Sequence, residues 1–125
     1  MAWTVDNNLR NRLAGSAALN AAISSGTLEI RTSGGTTLLS THNVGTVTVD
    51  NNVVTVPFNS AAVAGGVSNQ DAAVARIRAS GGDLLLSGTV GSQSGDVPFD
   101  DATGWNAGDT VNPGTATITL TVSAS

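Results

Sequence analysis

The chain has 125 residues, of which 40% are hydrophobic, 11% charged and 3% aromatic. This length suits one domain with one hydrophobic core, and the apolar content is that of a folded chain and not of a disordered one. The formal net charge is −4, with five arginines, no lysine and no basic cluster, so we expect neither nucleic acid nor a membrane surface as a partner. Cysteine is absent, which excludes disulfides and thiolate metal sites.

The first predicted element is an amphipathic helix over about residues 5–25. Apolar residues such as Leu9 and Leu13 recur at the 3.6-residue period of a helix that buries one side. Gly26 follows the last periodic residue and predicts the end of the helix. Glycine and serine at positions 15–16 weaken its middle, so two shorter helices are an alternative to one continuous helix.

A β domain is predicted over about residues 26–125, where the apolar period changes to two. In Thr27–Arg31 apolar residues alternate with polar ones, which is the pattern of a half-buried strand. Gly34 and Gly35 then predict a turn into a strand over residues 36–41, because glycine enters positive-φ turns at little cost.

A second hairpin is predicted from two β-branched runs, residues 45–49 and 53–58. The residues between them, Asp50–Asn52, tolerate left-handed turns. Pro57 indicates an edge or the end of a strand, because proline lacks the amide donor of a β ladder. Residues 59–70 are small, contain glycine and show no clear period, which predicts a loop or a loosely paired edge.

Residues 72–79 alternate as a strand would, although their composition also allows a helix. The turn signal Gly81–Asp83 leads into the apolar run 84–90 and favours a hairpin of two strands. Arg76 and Arg78 would then project from the same face of that hairpin.

The last third of the chain is predicted as short strands separated by loops. Gly91–Gly95 predicts a loop, residues 96–100 a short segment, and residues 109–111 and 115–122 the closing strands. Many short strands at this spacing predict a mainly β fold, either an antiparallel β-sandwich or a small barrel, with the N-terminal helix covering an end or a face. We therefore expect a single domain over residues 1–125.

Residues able to carry out chemistry are few. His42 is the only histidine and lies beside Asn43 at a predicted strand end, where an exposed structural role is favoured over that of a catalytic base. No Gly-x-Ser-x-Gly elbow occurs, and Gly91–Gly95 lacks the lysine and the following helix of a phosphate-binding loop. The sequence therefore predicts a non-enzymatic protein with no catalytic residues and no cofactor.

Four aspartates crowd one region of the sequence, namely Asp96, Asp100, Asp101 and Asp109. Carboxylates are the ligands that calcium prefers, but the spacing does not match an EF-hand. Aspartates in glycine-rich loops more often form turns and contact water. No metal site is predicted.

Two tryptophans and two arginines are the candidate interface residues. Trp105 fits either a buried plug at the end of the core or an exposed anchor of the kind that dominates interfaces. Trp3 favours docking against the body of this subunit or of a neighbouring one. Arg76 and Arg78 are expected to make polar contacts with a partner.

Four segments carry a resemblance to a known family. They are the helix around Leu9–Leu13, "LEIRTSGG" at Leu28–Gly35, "ARIRASGGDLLLSGTVGSQSGDVPFD" at Ala75–Asp100 and "AGDTVNPGTATITLTVSAS" at Ala107–Ser125. Together they resemble a family of small virion proteins of tailed bacteriophages, best from Leu84 onward. Residues 96–99 and 101–106 depart from the family pattern.

The resemblance implies a structural component of a phage particle, with no catalytic residues to carry over. It implies foremost a head decoration or cement protein that binds and stabilises the head shell, with a small neck or tail component or adaptor as an alternative. The partners would be other copies of the chain, including a trimer around a capsid symmetry axis, and the major capsid protein or another virion protein. The location would be the virion, assembled in the bacterial host cytoplasm. A carbohydrate- or host-surface-binding module, built on Trp105 and the aspartate loops, is a further alternative.

Overall fold

The structure, a computed structural model, describes residues 4–5, 23, 25–50 and 53–119. These residues are mainly β, and a short 3-10 turn at Ser33–Gly35 lies among the strands. The strands are β1 Thr4–Val5, β2 Thr27–Arg31, β3 Leu38–Asn43, β4 Thr48–Asp50, β5 Val53–Val56, β6 Ala61–Ala62, β7 Val74–Arg78, β8 Leu84–Ser92, β9 Ser94–Gly95, β10 Val97–Phe99, β11 Thr110–Val111 and β12 Ala116–Thr119.

The largest sheet has seven strands and curls into a half-barrel. Its main path runs β1-β8-β7-β2-β3 with antiparallel neighbours. The far half of the long strand β8 pairs with β9 antiparallel and with β10 parallel, so the sheet is mixed. Two smaller sheets, β12-β5-β4 and β11-β6, complete the described fold.

The two central strands bury one face and leave the other polar. Leu28 and Ile30 of β2 lie opposite Ile77 and Ala75 of β7, and all four side chains are fully buried. Successive side chains of a strand point to opposite faces, so the charged residues between them face outward. The sequence pattern of alternating apolar and polar residues is therefore realised in both strands.

Two irregularities in the ladder add leucines to the core. The register between β2 and β3 shifts between Ile30 and Arg31, so that Leu39 is passed over. The register between β7 and β8 shifts in the same way at Leu85. Such bulges re-aim a side chain, and here Leu39 and Leu85 are both fully buried next to a second buried residue on the same strand.

The core is aliphatic except for one aromatic cluster. Phe99 and Trp105 meet edge to face, with ring centroids 5.0 Å apart, and the His42 ring lies with its centroid 6.1 Å from that of Phe99. The fully buried aliphatic side chains around it are Ile23, Leu28, Ile30, Leu39, Val54, Val56, Ile77, Leu85, Leu86 and Val97.

The predicted hairpins are confirmed, because β2 pairs with β3, β4 with β5, and β7 with β8. The helical alternative for residues 72–79 is wrong. The expectation of an antiparallel sheet throughout is also wrong, because β10 runs parallel to β8. The segment Gly91–Gly95, predicted as a loop, is a tight reversal between β8 and β9 with Gln93 at a positive φ of 55°.

The predicted N-terminal helix over residues 5–25 falls mostly outside the described residues. Val5 itself lies in β1, opposite Leu86 of β8, so a helix does not begin at this residue. Its backbone instead extends the sheet beyond β8. At the other end, the amide of Gly26 donates to the carbonyl oxygen of Ile23 at 2.9 Å, immediately before β2.

Gly26 provides a test of this packing. A Cβ at this position would overlap the carbonyl oxygen of Arg78 and would lie 2.8 Å from that of Ile23. We therefore expect Gly26→Ala to lower the free energy of unfolding by about 1–3 kcal/mol, the usual cost of overpacking. Urea denaturation followed by circular dichroism measures the change.

Gly65→Ala is the matched control, because a Cβ there meets no atom within 4 Å and its φ is not in the left-handed region. This variant is expected to be as stable as the parent or slightly more so, since alanine restricts the unfolded chain. Equal stability of the two variants would contradict the close approach of Gly26 to β7.

Candidate functional site

The strongest concentration of charge in the described structure lies on the outer side of β2 and β7. We call this surface the arginine face and define it by Glu29, Arg31, Arg76 and Arg78. All three arginines that the structure describes lie on it, accompanied by one carboxylate. In each of the two strands the charged residues are two positions apart, so their side chains point to the same side of the sheet.

Glu29 ties two of the arginines together. Its Oε1 accepts hydrogen bonds from Nε of Arg78 at 2.8 Å and from Nε of Arg31 at 3.3 Å. Each of these guanidinium groups also donates to the carbonyl oxygen of a turn, Arg31 to Gly35 at 3.3 Å and Arg78 to Gly82 at 3.1 Å. The network therefore fixes β2, β7 and the turns beside them.

The pKa of Glu29 reports this arrangement. Partial burial by itself raises the pKa of the carboxyl group, but the hydrogen bonds and charges of Arg78 and Arg31 outweigh it. The net result is a pKa below the ordinary value of 4.5. Glu29 is therefore ionised at neutral pH and neutralises one of the positive charges around it.

Arg76 is placed differently from its neighbours. It lies opposite Glu29 in the register of β2 and β7, yet its guanidinium packs against Gly35, where an added Cβ would overlap it. Within the described part of the chain, no hydrogen bond or ion pair engages its side chain. The half-buried Arg76 thus supplies five donors that the fold itself leaves unused.

The structure separates the four candidate interface residues. Arg76 and Arg78 lie together on the arginine face, as the alternation predicted. Trp105 lies in the core with 3% of its surface exposed, and its indole nitrogen donates to the carbonyl oxygen of Asp101 at 2.9 Å. The exposed-anchor interpretation of Trp105 is therefore wrong and the buried plug is correct. Trp3 lies outside the described residues, and its role stays a prediction.

His42 is buried, which corrects the expectation of an exposed side chain. Its Nδ1 lies 2.7 Å from the carbonyl oxygen of Asn59, and its Nε2 lies 2.8 Å from Oγ of Ser40. A carbonyl oxygen only accepts, so Nδ1 carries the proton and Nε2 accepts from the serine hydroxyl. Ser40 and His42 are 2% and 1% exposed, so a substrate has no access to this pair.

Burial also lowers the pKa of His42 below its ordinary value of 6.5, against the raising effect of its hydrogen bond to Asn59. The imidazole is therefore neutral in the folded protein at neutral pH. Its surroundings explain this state, since the ring contacts Phe99 and is enclosed by the inner face of β2 and β3. The geometry indicates a structural histidine that joins β3 to the segment after β5.

The aspartates of the loops mostly bond to nearby chain atoms. Asp96 accepts from the amide and hydroxyl of Thr89, and Asp109 accepts from an amide three residues away. Asp101 accepts from the hydroxyl and amide of Thr103, and these hydrogen bonds lower the pKa of its carboxyl group. Among the described residues, no three acidic or histidine side chains gather as a metal-binding group.

Asp100 is the exception among these aspartates. It is exposed, and no described residue forms a hydrogen bond or ion pair with its carboxylate. It lines two adjoining surface clefts of about 190 and 240 Å³, which also share Phe99 and Asn112. The first cleft includes Asp101 as well, so one concave surface carries two carboxylates.

Comparison with protein-family models, with curated proteins and with solved structures gave no match to this chain. The resemblance to phage virion proteins is therefore carried by the sequence segments alone. Within the described residues, the structure contains no helix with the length and apolar character needed to cross a bilayer.

Sequence reasoning missed the partners of the arginines. It placed Arg76 and Arg78 on one face and Glu29 and Arg31 on another strand, but it did not indicate that the two strands are neighbours. Opposite charges at matching positions of two predicted strands were the available signal, since such cross-strand pairs stabilise a register. Nothing in the sequence pattern indicated the clefts beside Asp100.

Glu29→Gln tests the network. The substitution keeps the shape of the side chain but removes the charge that two arginines share, so we expect the free energy of unfolding to fall by about 1–3 kcal/mol. Asp100→Asn is the matched control, because it makes the same chemical change at an exposed carboxylate. It should leave stability within about 0.5 kcal/mol of the parent. Equal effects in urea denaturation would contradict the bridging role of Glu29.

The pH dependence of stability tests the burial of His42. Its folded-state pKa is lowered, so the unfolded chain binds a proton more readily than the folded one. The contribution of His42 to stability is complete above the unfolded pKa of about 6.5 and is lost as the pH falls through the folded pKa. Urea titrations in steps from about pH 8 to pH 5 should therefore show decreasing stability.

His42→Gln is the control for this measurement, because an amide can still donate to Asn59 and accept from Ser40 but does not titrate. The chain has a single histidine, and the lowered pKa values of Glu29 and Asp101 place their transitions below this range. The slope should accordingly become shallower in the variant. A variant that retains the parental slope would exclude His42 as its origin.

Proposed function

We propose that the protein is a non-enzymatic structural protein of a tailed-phage virion, and that it acts as a head decoration protein. The sequence resemblance, which runs from the helix region to the closing strand, supports the family. In this role the chain binds the assembled shell and bridges neighbouring capsomers, so that the buried area added by each copy stabilises the head.

The arginine face is the observation that carries the binding role. Two guanidinium groups, those of Arg31 and Arg78, share the carboxylate of Glu29, and the donors of Arg76 are free of partners among the described residues. Arginine is enriched at protein interfaces because its planar group binds carboxylates through two parallel hydrogen bonds. A rigid sheet face that presents such a group fits an acidic patch on a protein partner within the particle.

The carbohydrate-binding alternative is less well supported. It needed Trp105 as an exposed platform for a sugar ring, and that side chain is buried against Phe99. The decoration role and the neck or tail alternative differ only in where the protein lies in the particle. Both roles use the same kind of contact between protein surfaces.

Labelling of particles tests the proposal. Antibody raised against the chain is applied to phage particles from the organism that carries the coding sequence, and the bound gold is located by electron microscopy. We expect label distributed over the head. Label confined to the neck or tail would replace the decoration role by the neck or tail alternative, and particles without label would overturn the virion role.

Re-addition of purified chain to particles from which it has been removed tests the arginine face. Arg76→Gln should weaken retention about tenfold, which corresponds to the loss of one charge-assisted contact. Thr46→Glu is the matched control, since it changes the net charge equally at an exposed loop residue that belongs to neither β2 nor β7. Equal retention of Arg76→Gln and the parent would exclude this face as the binding surface.

A further inference from the structure

Most charged side chains of the described structure form a hydrogen bond or an ion pair within the chain, and two do not. Apart from Asp50, whose side chain lies outside the described part of the structure, there are ten such side chains. Eight of these ten take part in contacts within the chain, and they are Glu29, Arg31, Asp71, Arg78, Asp83, Asp96, Asp101 and Asp109. The remaining two are Arg76 and Asp100, which carry opposite charges.

These two side chains cannot pair within one copy. Arg76 lies opposite Ser87 of β8, whereas Phe99, the neighbour of Asp100, lies opposite Ser92. Five residues of strand separate these positions, which at roughly 3.4 Å per residue is about 17 Å. A contact between the two groups therefore requires two copies of the chain.

The charge of the whole chain is segregated in the same sense. Residues 1–78 hold all five arginines and four acids, whereas residues 79–125 hold five aspartates and no cation. The first segment thus carries a net charge of +1 and the second of −5, which together give the −4 of the chain. Association that brings the arginine face of one copy to the aspartate loops of another lowers the electrostatic energy of both.

We propose that the protein self-associates by inserting Arg76 of one copy into the cleft beside Asp100 of a second copy. The cleft offers the carboxylates of Asp100 and Asp101 and the side-chain oxygens of Thr110 and Asn112, all of which accept hydrogen bonds. Arg76 is held in place for this contact by its packing on Gly35. Because the two patches differ, repetition of the contact forms a closed ring where the rotation between copies closes and an open filament where it does not. The contact rests on the proposed structural role and adds a second copy of the chain as a partner.

Charge reversal tests the contact without any phage particle. Sedimentation velocity is measured for the parent, for Arg76→Glu and for Asp100→Arg at low salt and in about 0.5 M salt. The parent should associate at low salt and dissociate as salt increases. Each single variant should associate at least about tenfold more weakly than the parent, because an attraction becomes a repulsion.

A mixture of the two variants gives the decisive result. Arg76→Glu retains an intact cleft and Asp100→Arg retains an intact arginine face, so an equimolar mixture should associate where neither variant does alone. Thr46→Glu and Thr46→Lys are the charge controls and should behave as the parent does. Thermal melting followed by circular dichroism verifies that each variant is folded.

A monomeric parent at low salt, or single variants that associate as the parent does, would overturn the contact. A mixture that fails to restore association while both variants are folded would overturn it as well. These outcomes are independent of the labelling of particles. A chain that decorates heads as separate monomers would overturn the self-association but not the virion role. A self-associating chain that is absent from virions would overturn the virion role but not the self-association.

Discussion

The antiparallel pairing of β2 with β7 is the contact on which both the core and the arginine face depend. It joins distant parts of the chain, since Glu29 and Arg78 are 49 positions apart. On the inner side it places Leu28 opposite Ile77, and on the outer side it brings the carboxylate to the guanidinium. A shift of one residue would turn the charged side chains into the core. Apolar burial and ion pairing therefore favour the same register, which explains how a chain with few aromatic residues specifies its sheet.

The two bulges increase the number of residues that the strands bury. A regular strand can bury only every second residue of a sheet with one polar face, whereas β3 and β8 each bury two in succession. The passed-over residues are leucines, Leu39 and Leu85, which are larger than the valines and alanines around them. The carbonyl oxygen of Leu39, released from the ladder, accepts from the amide of Ala64 at 2.7 Å. The irregularity thus adds apolar volume and ties the segment after β6 to β3.

Local features of the sequence were enough to predict the hairpins, because alternation and glycine turns act between neighbouring residues. They failed where the outcome depends on contacts between distant segments. Whether Trp105 is buried depends on Phe99, and the burial of His42 depends on the carbonyl group of Asn59, and neither contact leaves a periodic signal. The parallel addition of β10 to β8 follows a tight reversal at Gln93, a residue that turn chemistry does not single out. The same reasoning placed Arg76 on one face of its hairpin. It could not show that the neighbouring Arg31 and Arg78 pair with Glu29.

Arg76 differs from the other charged groups of the arginine face in its lack of a hydrogen-bond partner among the described residues. In the described structure no buried side-chain nitrogen or oxygen lacks a hydrogen-bond partner, so the fold satisfies its own polar groups closely. A surface charge that contacts only water is ordinary, but a guanidinium half-buried on a rigid strand has lost part of its hydration without gaining a partner. Asp100, beside a cleft, offers the complementary group. Pairing these groups between two copies would restore to Arg76 the hydrogen bonds that its position on β7 denies it within one copy, and the cost of holding it there would then be recovered on assembly.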